Sequence, residues 1–137
     1  MIQDDDITII EGMRDVIRAT KKFKINLKSE IDTYYSTYNQ APIWFELTYD
    51  YQEFGVDKKY ISISIEKEKI QAIEDRATLH HSSCTEHNAD RRRIKEIIRE
   101  LTELFYQKTL DTIYESNYDR DMRFYRAKVS PKWKWRS

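Results

Sequence analysis

The 137-residue sequence predicts an α+β fold: an antiparallel hairpin or small sheet packed by helices, with a long C-terminal amphipathic helix and a basic aromatic tail. Three patterns predict it. Ile43, Phe45, Leu47, Tyr49 and Tyr51 alternate with Trp44, Glu46, Thr48, Asp50 and Gln52, the period of a half-buried strand. After the loop 53–59, Ile61, Ile63 and Ile65 alternate with Ser62, Ser64 and Glu66, so the two runs read as a hairpin with one apolar face. Ile94, Ile97, Ile98, Leu101, Leu104, Phe105 and Ile113 then form a helical stripe over about residues 89–116. Two strands alone are marginal in water, so helices cover that face or further strands extend it.

The remaining elements follow in chain order. Thr8-Ile9-Ile10-Glu11 matches a capping box, and Ile10, Met13, Ile17 and Thr20 follow helical spacing, which predicts a first helix over about residues 6–21. Phe23, Ile25 and Leu27 alternate with polar residues and suggest a short strand. Ile31, Tyr34, Tyr35 and Tyr38 fit a second helix opened near Ser29, although the same stretch tolerates a strand. From Glu66 the period changes towards 3.6, with Ile70, Ile73 and Ala77 on one face, so a helix runs to about Leu79. Residues 1–120 read as one domain and residues 121–137 as its tail; no internal repeat appears.

Composition bounds the function. The hydrophobic fraction of 39% and the aromatic fraction of 13% suffice for one modest core. Only Gly12 and Gly55 are glycine, and nothing resembles a phosphate-binding glycine loop or a dinucleotide fingerprint. A single cysteine excludes an internal disulfide framework and fits a reducing cytoplasm. No apolar run approaches the ~18 residues of a membrane span, and the acidic start Asp4-Asp5-Asp6 is unlike a signal peptide. These features lead to the expectation of a soluble cytoplasmic protein without a membrane partner. Isoleucine and tyrosine outnumber alanine and glycine, a bias shared with many phage genomes.

Net charge is zero but uneven. Residues 1–87 carry 11 Lys/Arg against 16 Asp/Glu, whereas residues 88–137 carry 13 against 8 and hold eight of the eleven arginines. Such polarity attracts an anionic partner, the other half of the domain or a second copy of the chain.

All three histidines and the cysteine fall within His80–His87. If that segment were helical, His80, Cys84 and His87 would share one face and could hold Zn²⁺ with a fourth ligand from elsewhere, while His81 would point away. The spacing matches no common zinc signature. The simpler reading makes Ser83-Cys84-Thr85-Glu86 a capping box, with Cys84 a small core residue in the first turn of the last helix. Enzyme is the less favoured class, because Cys84 lacks a separate activating base and no glycine nearby opens the backbone for an oxyanion site.

The basic residues carry the favoured functional expectation. Arg91, Arg92 and Arg93 stand near a helix start, where the macrodipole disfavours cations unless an anion is bound or the helix begins earlier. The tail places Arg123, Arg126, Lys128, Lys132, Lys134 and Arg136 among Phe124, Tyr125, Trp133 and Trp135, with no acid. Cations for phosphates and tryptophans for stacking are the parts of a single-strand nucleic-acid binder. The alternation Lys132-Trp133-Lys134-Trp135-Arg136 equally suits a strand added to a sheet edge. The expectation is a small non-enzymatic protein whose basic C-terminal half engages nucleic acid. The alternatives are a subunit that uses the tail and the Tyr34–Tyr38 patch to dock on an acidic protein surface or to form a homo-oligomer, and a zinc-binding protein.

Overall fold

The computed structural model describes residues 7–10, 16–51, 57–82, 86–118, 127–129 and 132–135. Among the described residues, three helices and two three-stranded antiparallel sheets form in the order β1 (Ile7–Ile10), β2 (Val16–Ala19), α1 (Lys21–Tyr38), β3 (Trp44–Tyr51), β4 (Asp57–Ser64), α2 (Lys67–His80), α3 (Glu86–Tyr118), β5 (Ala127–Val129) and β6 (Lys132–Trp135). The α+β class and the long C-terminal helix are as the sequence predicts.

The expected hairpin is present, and β3 is its central strand. Phe45 lies opposite Ile63 on β4 and opposite Trp135 on β6; Leu47 lies opposite Ile61 and Trp133. Phe45, Leu47 and Ile63 are fully buried, so this face of the sheet meets the helices, while Ser62, Ser64 and Lys134 on the alternate positions are exposed. The tail therefore supplies the third strand that two strands alone need. The second sheet has the order β2-β1-β5, so the C-terminal segment completes both sheets.

Two predicted elements are corrected. No helix spans residues 6–21: Ile7–Ile10 and Val16–Ala19 pair as an antiparallel hairpin. The β-branched run Ile7-Thr8-Ile9-Ile10 loses χ1 freedom in a helix and gains cross-strand packing in a sheet, and that preference prevails over the apparent capping box. Nor is Phe23–Leu27 a strand. Thr20 caps α1, its hydroxyl accepting from Phe23 N–H at 3.4 Å. Phe23, Leu27, Ile31, Tyr34 and Tyr35 form the buried stripe, and Ile25 is 56% exposed on the opposite side. The helix ends where Asn39 turns left-handed (φ 52°) and its N–H bonds to the Tyr35 carbonyl at 2.8 Å.

α3, at 33 residues about 50 Å long, is the spine of the helical layer and packs against both α1 and α2. Ile97, Ile98, Leu101, Phe105 and Ile113 are buried as its stripe predicts. Thr102 and Thr109 lie on the same stripe, and each satisfies its hydroxyl internally on the carbonyl four residues back, at 2.7 Å. Among the described residues no helix is long and apolar enough to cross a membrane.

Candidate anion-binding groove between α1 and α3

The site is built from the outer faces of two adjoining helices. α1 and α3 run antiparallel, Lys24 of α1 forming an ion pair with Glu103 of α3 and the Lys28–Asp32 turn lying against Arg92–Arg99. A groove of about 530 Å³ opens there, lined by the cations Lys28, Arg92, Lys95 and Arg99. Asp32, His81 and Glu96 complete its polar wall. A second cavity of about 350 Å³ adjoins it towards the start of α1, sharing Lys28 and Arg99 and adding Lys21 and Lys24. Together they make a basic track on the order of 15 Å long along the helix pair, from the rise per helical residue.

The ion pairs explain why this track keeps its charge. Glu103 is taken by Lys24, Glu100 by Arg76 at 3.2 Å, and Glu96 by His80 at 3.0 Å. Glu96, Glu100 and Glu103 are thus engaged by side chains of the acidic first part of the chain. Lys28, Lys95 and Arg99 consequently have no ion-pair partner among the described residues. Arg99 and Glu103, one turn apart on α3, are not paired with each other.

His80 closes α2 and His81 begins the turn into α3. His80 Nδ1 hydrogen-bonds Glu96 Oε2, and His81 Nε2 stands 3.5 Å from Oε1, an ion-pair distance rather than a hydrogen bond. The hydrogen bond from His80 foremost, with the charge of both imidazoles, holds the Glu96 carboxyl below its ordinary value of 4.5 despite partial desolvation. His81 therefore faces the groove and the same carboxylate as His80, contrary to the orientation that one continuous helix would impose. With α2 ending at His80 and α3 starting at Glu86, His80, Cys84 and His87 do not occupy successive turns of a single helix. Cys84 and the side chain of His87 lie outside the described residues, among which no group of three His, Cys, Asp or Glu could hold a metal ion.

The arginine run divides its duties. Consecutive helical residues point about 100° apart, so Arg92 lines the groove while Arg93 turns to Asp90 at 3.6 Å and Arg91 is exposed outside it. Because α3 starts at Glu86, all three stand beyond the first turn, where the opposing dipole has faded. Arg123 and Arg126 lie outside the described residues. On β6, Trp133 stacks on Phe23 and Phe45, both at 5.1 Å, and Trp135 on Phe45 at 4.8 Å. The Trp135 indole also donates to Glu30 at 2.9 Å. These rings are engaged by the core, with Lys134 exposed on the other face, and Lys132 stands in register with Thr48. Of the Tyr34–Tyr38 patch, Tyr34 and Tyr35 are buried, and only Tyr38, stacked on Tyr34 at 4.6 Å, is half exposed.

The groove residues beyond Arg92 were not singled out from sequence. Lys95 and Arg99 follow Arg92 at i+3 and i+7, a spacing that carries the signal once the helix is recognised. Lys28 was hidden because its surroundings read as a strand. Comparison of the chain with family models, with curated proteins and with solved structures finds no match.

Proposed function

We propose that the protein binds polyanions, nucleic acid foremost, through the α1–α3 track. What supports the reading is the convergence of Lys28, Lys95 and Arg99, from two helices and without ion-pair partners among the described residues, on one groove beside Arg92. Like charges held together are mutually destabilising, and a bound anion turns that cost into affinity. Phosphates take the guanidinium of Arg99 bidentately and the two ammonium groups as point charges. The tryptophans serve the fold in this reading and not the ligand. Titration of a labelled single-stranded oligonucleotide against the wild type and against Lys28→Gln, Lys95→Gln and Arg99→Gln tests it. Each variant should weaken binding several-fold with its melting temperature unchanged; wild-type affinity in all three rejects the groove.

A second reading is an assembly surface. Its support is the 590 Å³ groove between α2 and α3, lined by Ala72, Ile73 and Leu104. A mass that rises with concentration in light scattering and is abolished by Ala72→Asp would favour it; a monomer at all concentrations would dismiss it.

A further inference from the structure

The α1–α3 groove holds carboxylates as well as cations. Asp32 follows Lys28 by one turn of α1, and Glu96 follows Lys95 on α3. Side chains one turn apart start about 5–6 Å from each other, yet no ion pair joins Lys28 to Asp32, and Asp32 has no ion-pair partner among the described residues. Glu96, by contrast, is engaged by His80, and the buried Nε2 of His81 faces it at 3.5 Å.

A groove that served phosphates alone would gain nothing from the unpaired Asp32, because a carboxylate repels the ligand. It suits a ligand that presents a hydroxyl donor a few ångströms from a phosphate. The ribose 2′-hydroxyl is such a group, and DNA lacks it. The 530 Å³ groove around Asp32 has no Phe, Tyr or Trp in its lining among the described residues, and Tyr106 lines the adjoining cavity, so contacts beside Asp32 fall on phosphate and sugar.

We infer that the groove selects RNA over DNA. Lys28, Lys95 and Arg99 hold successive phosphates, and Asp32 accepts a hydrogen bond from a ribose 2′-hydroxyl. The inference rests on the polyanion reading above and adds the chemical class of the strand.

Fluorescence anisotropy with single-stranded RNA, DNA and 2′-O-methyl RNA of one sequence tests it. A hydrogen bond to a charged acceptor is worth about tenfold or more in affinity. RNA should therefore bind at least about tenfold more tightly than DNA or the 2′-O-methyl strand. Asp32→Ala, an exposed helical change, should weaken RNA and strengthen DNA until the two agree within about twofold. Equal binding of RNA and DNA, 2′-O-methyl RNA binding like RNA, or an RNA/DNA ratio unchanged by Asp32→Ala overturns the selection. The polyanion reading survives those outcomes if Arg99→Gln still weakens every strand. Failure of all three strands to bind overturns both.

Discussion

The indole N–H of Trp135 donates to the Glu30 carboxylate at 2.9 Å across 105 residues of sequence, fastening the last strand to the first helix. The same ring stacks on Phe45 and lies 5.8 Å from Tyr34. Trp135→Phe keeps the stacking and removes the hydrogen bond, and should cost about 1–2 kcal/mol in denaturant unfolding. Trp135→Ala should cost about 2–4 kcal/mol, less than a fully buried aromatic because the ring is only partly covered. Deletion after Val129 removes all of β6 and should unfold the domain rather than leave a folded protein with weaker ligand binding.

Phe23 and Ile25 test the assignment of α1. In a strand they would share a face. In the helix Phe23 is fully buried and Ile25 is 56% exposed. Phe23→Ala should cost about 3–5 kcal/mol and Ile25→Ala no more than about 0.5 kcal/mol. Equal losses would contradict the helix.

What the sequence revealed depended on how local each signal is. β3, β4, α2 and α3 bury stripes whose period is written in consecutive residues, and the alternation of Lys132–Trp135 did foretell a strand. β5 escaped notice because its partner β1 stands over a hundred residues away, whereas the local β1–β2 hairpin was masked by a capping box and a few helically spaced apolar residues that imitate a helix. The site divides the same way. Arg92 stood out in its arginine run, but Lys28 becomes its neighbour only when α1 packs on α3. The tryptophans were visible as a pair, yet nothing local told that Phe23 and Phe45 would occupy their rings.

The α2–α3 corner carries a pH dependence of known sign. The folded Glu96 carboxyl titrates below its ordinary value, chiefly through the His80 hydrogen bond. A depressed carboxyl contributes stability above its unfolded pKa and loses it as pH falls through the folded value. The melting temperature of the wild type should exceed that of Glu96→Gln at neutral pH, and the gap should close below about pH 4.5. A gap that is constant down to pH 3 would separate Glu96 from the corner's stability.

Redirecting an acid should redirect the groove. Lys24 occupies Glu103, which leaves Arg99 without its i+4 partner. Lys24→Gln releases Glu103 to Arg99, so oligonucleotide affinity should fall by more than the loss of one peripheral cation, and Lys24→Gln/Glu103→Gln should recover most of it. If the double variant binds no better than the single one, competition for Glu103 does not set the charge of the track.

The salt dependence of oligonucleotide affinity tests the central claim most directly. For a single strand, log K falls against log salt with a slope of about −0.7 for each phosphate neutralised. Three or four groove contacts give a wild-type slope of about −2 to −3. The triple variant Lys28→Gln/Lys95→Gln/Arg99→Gln should flatten it towards zero while the protein stays folded. A wild-type slope near zero, or an unchanged slope in the triple variant, would contradict binding by the α1–α3 groove.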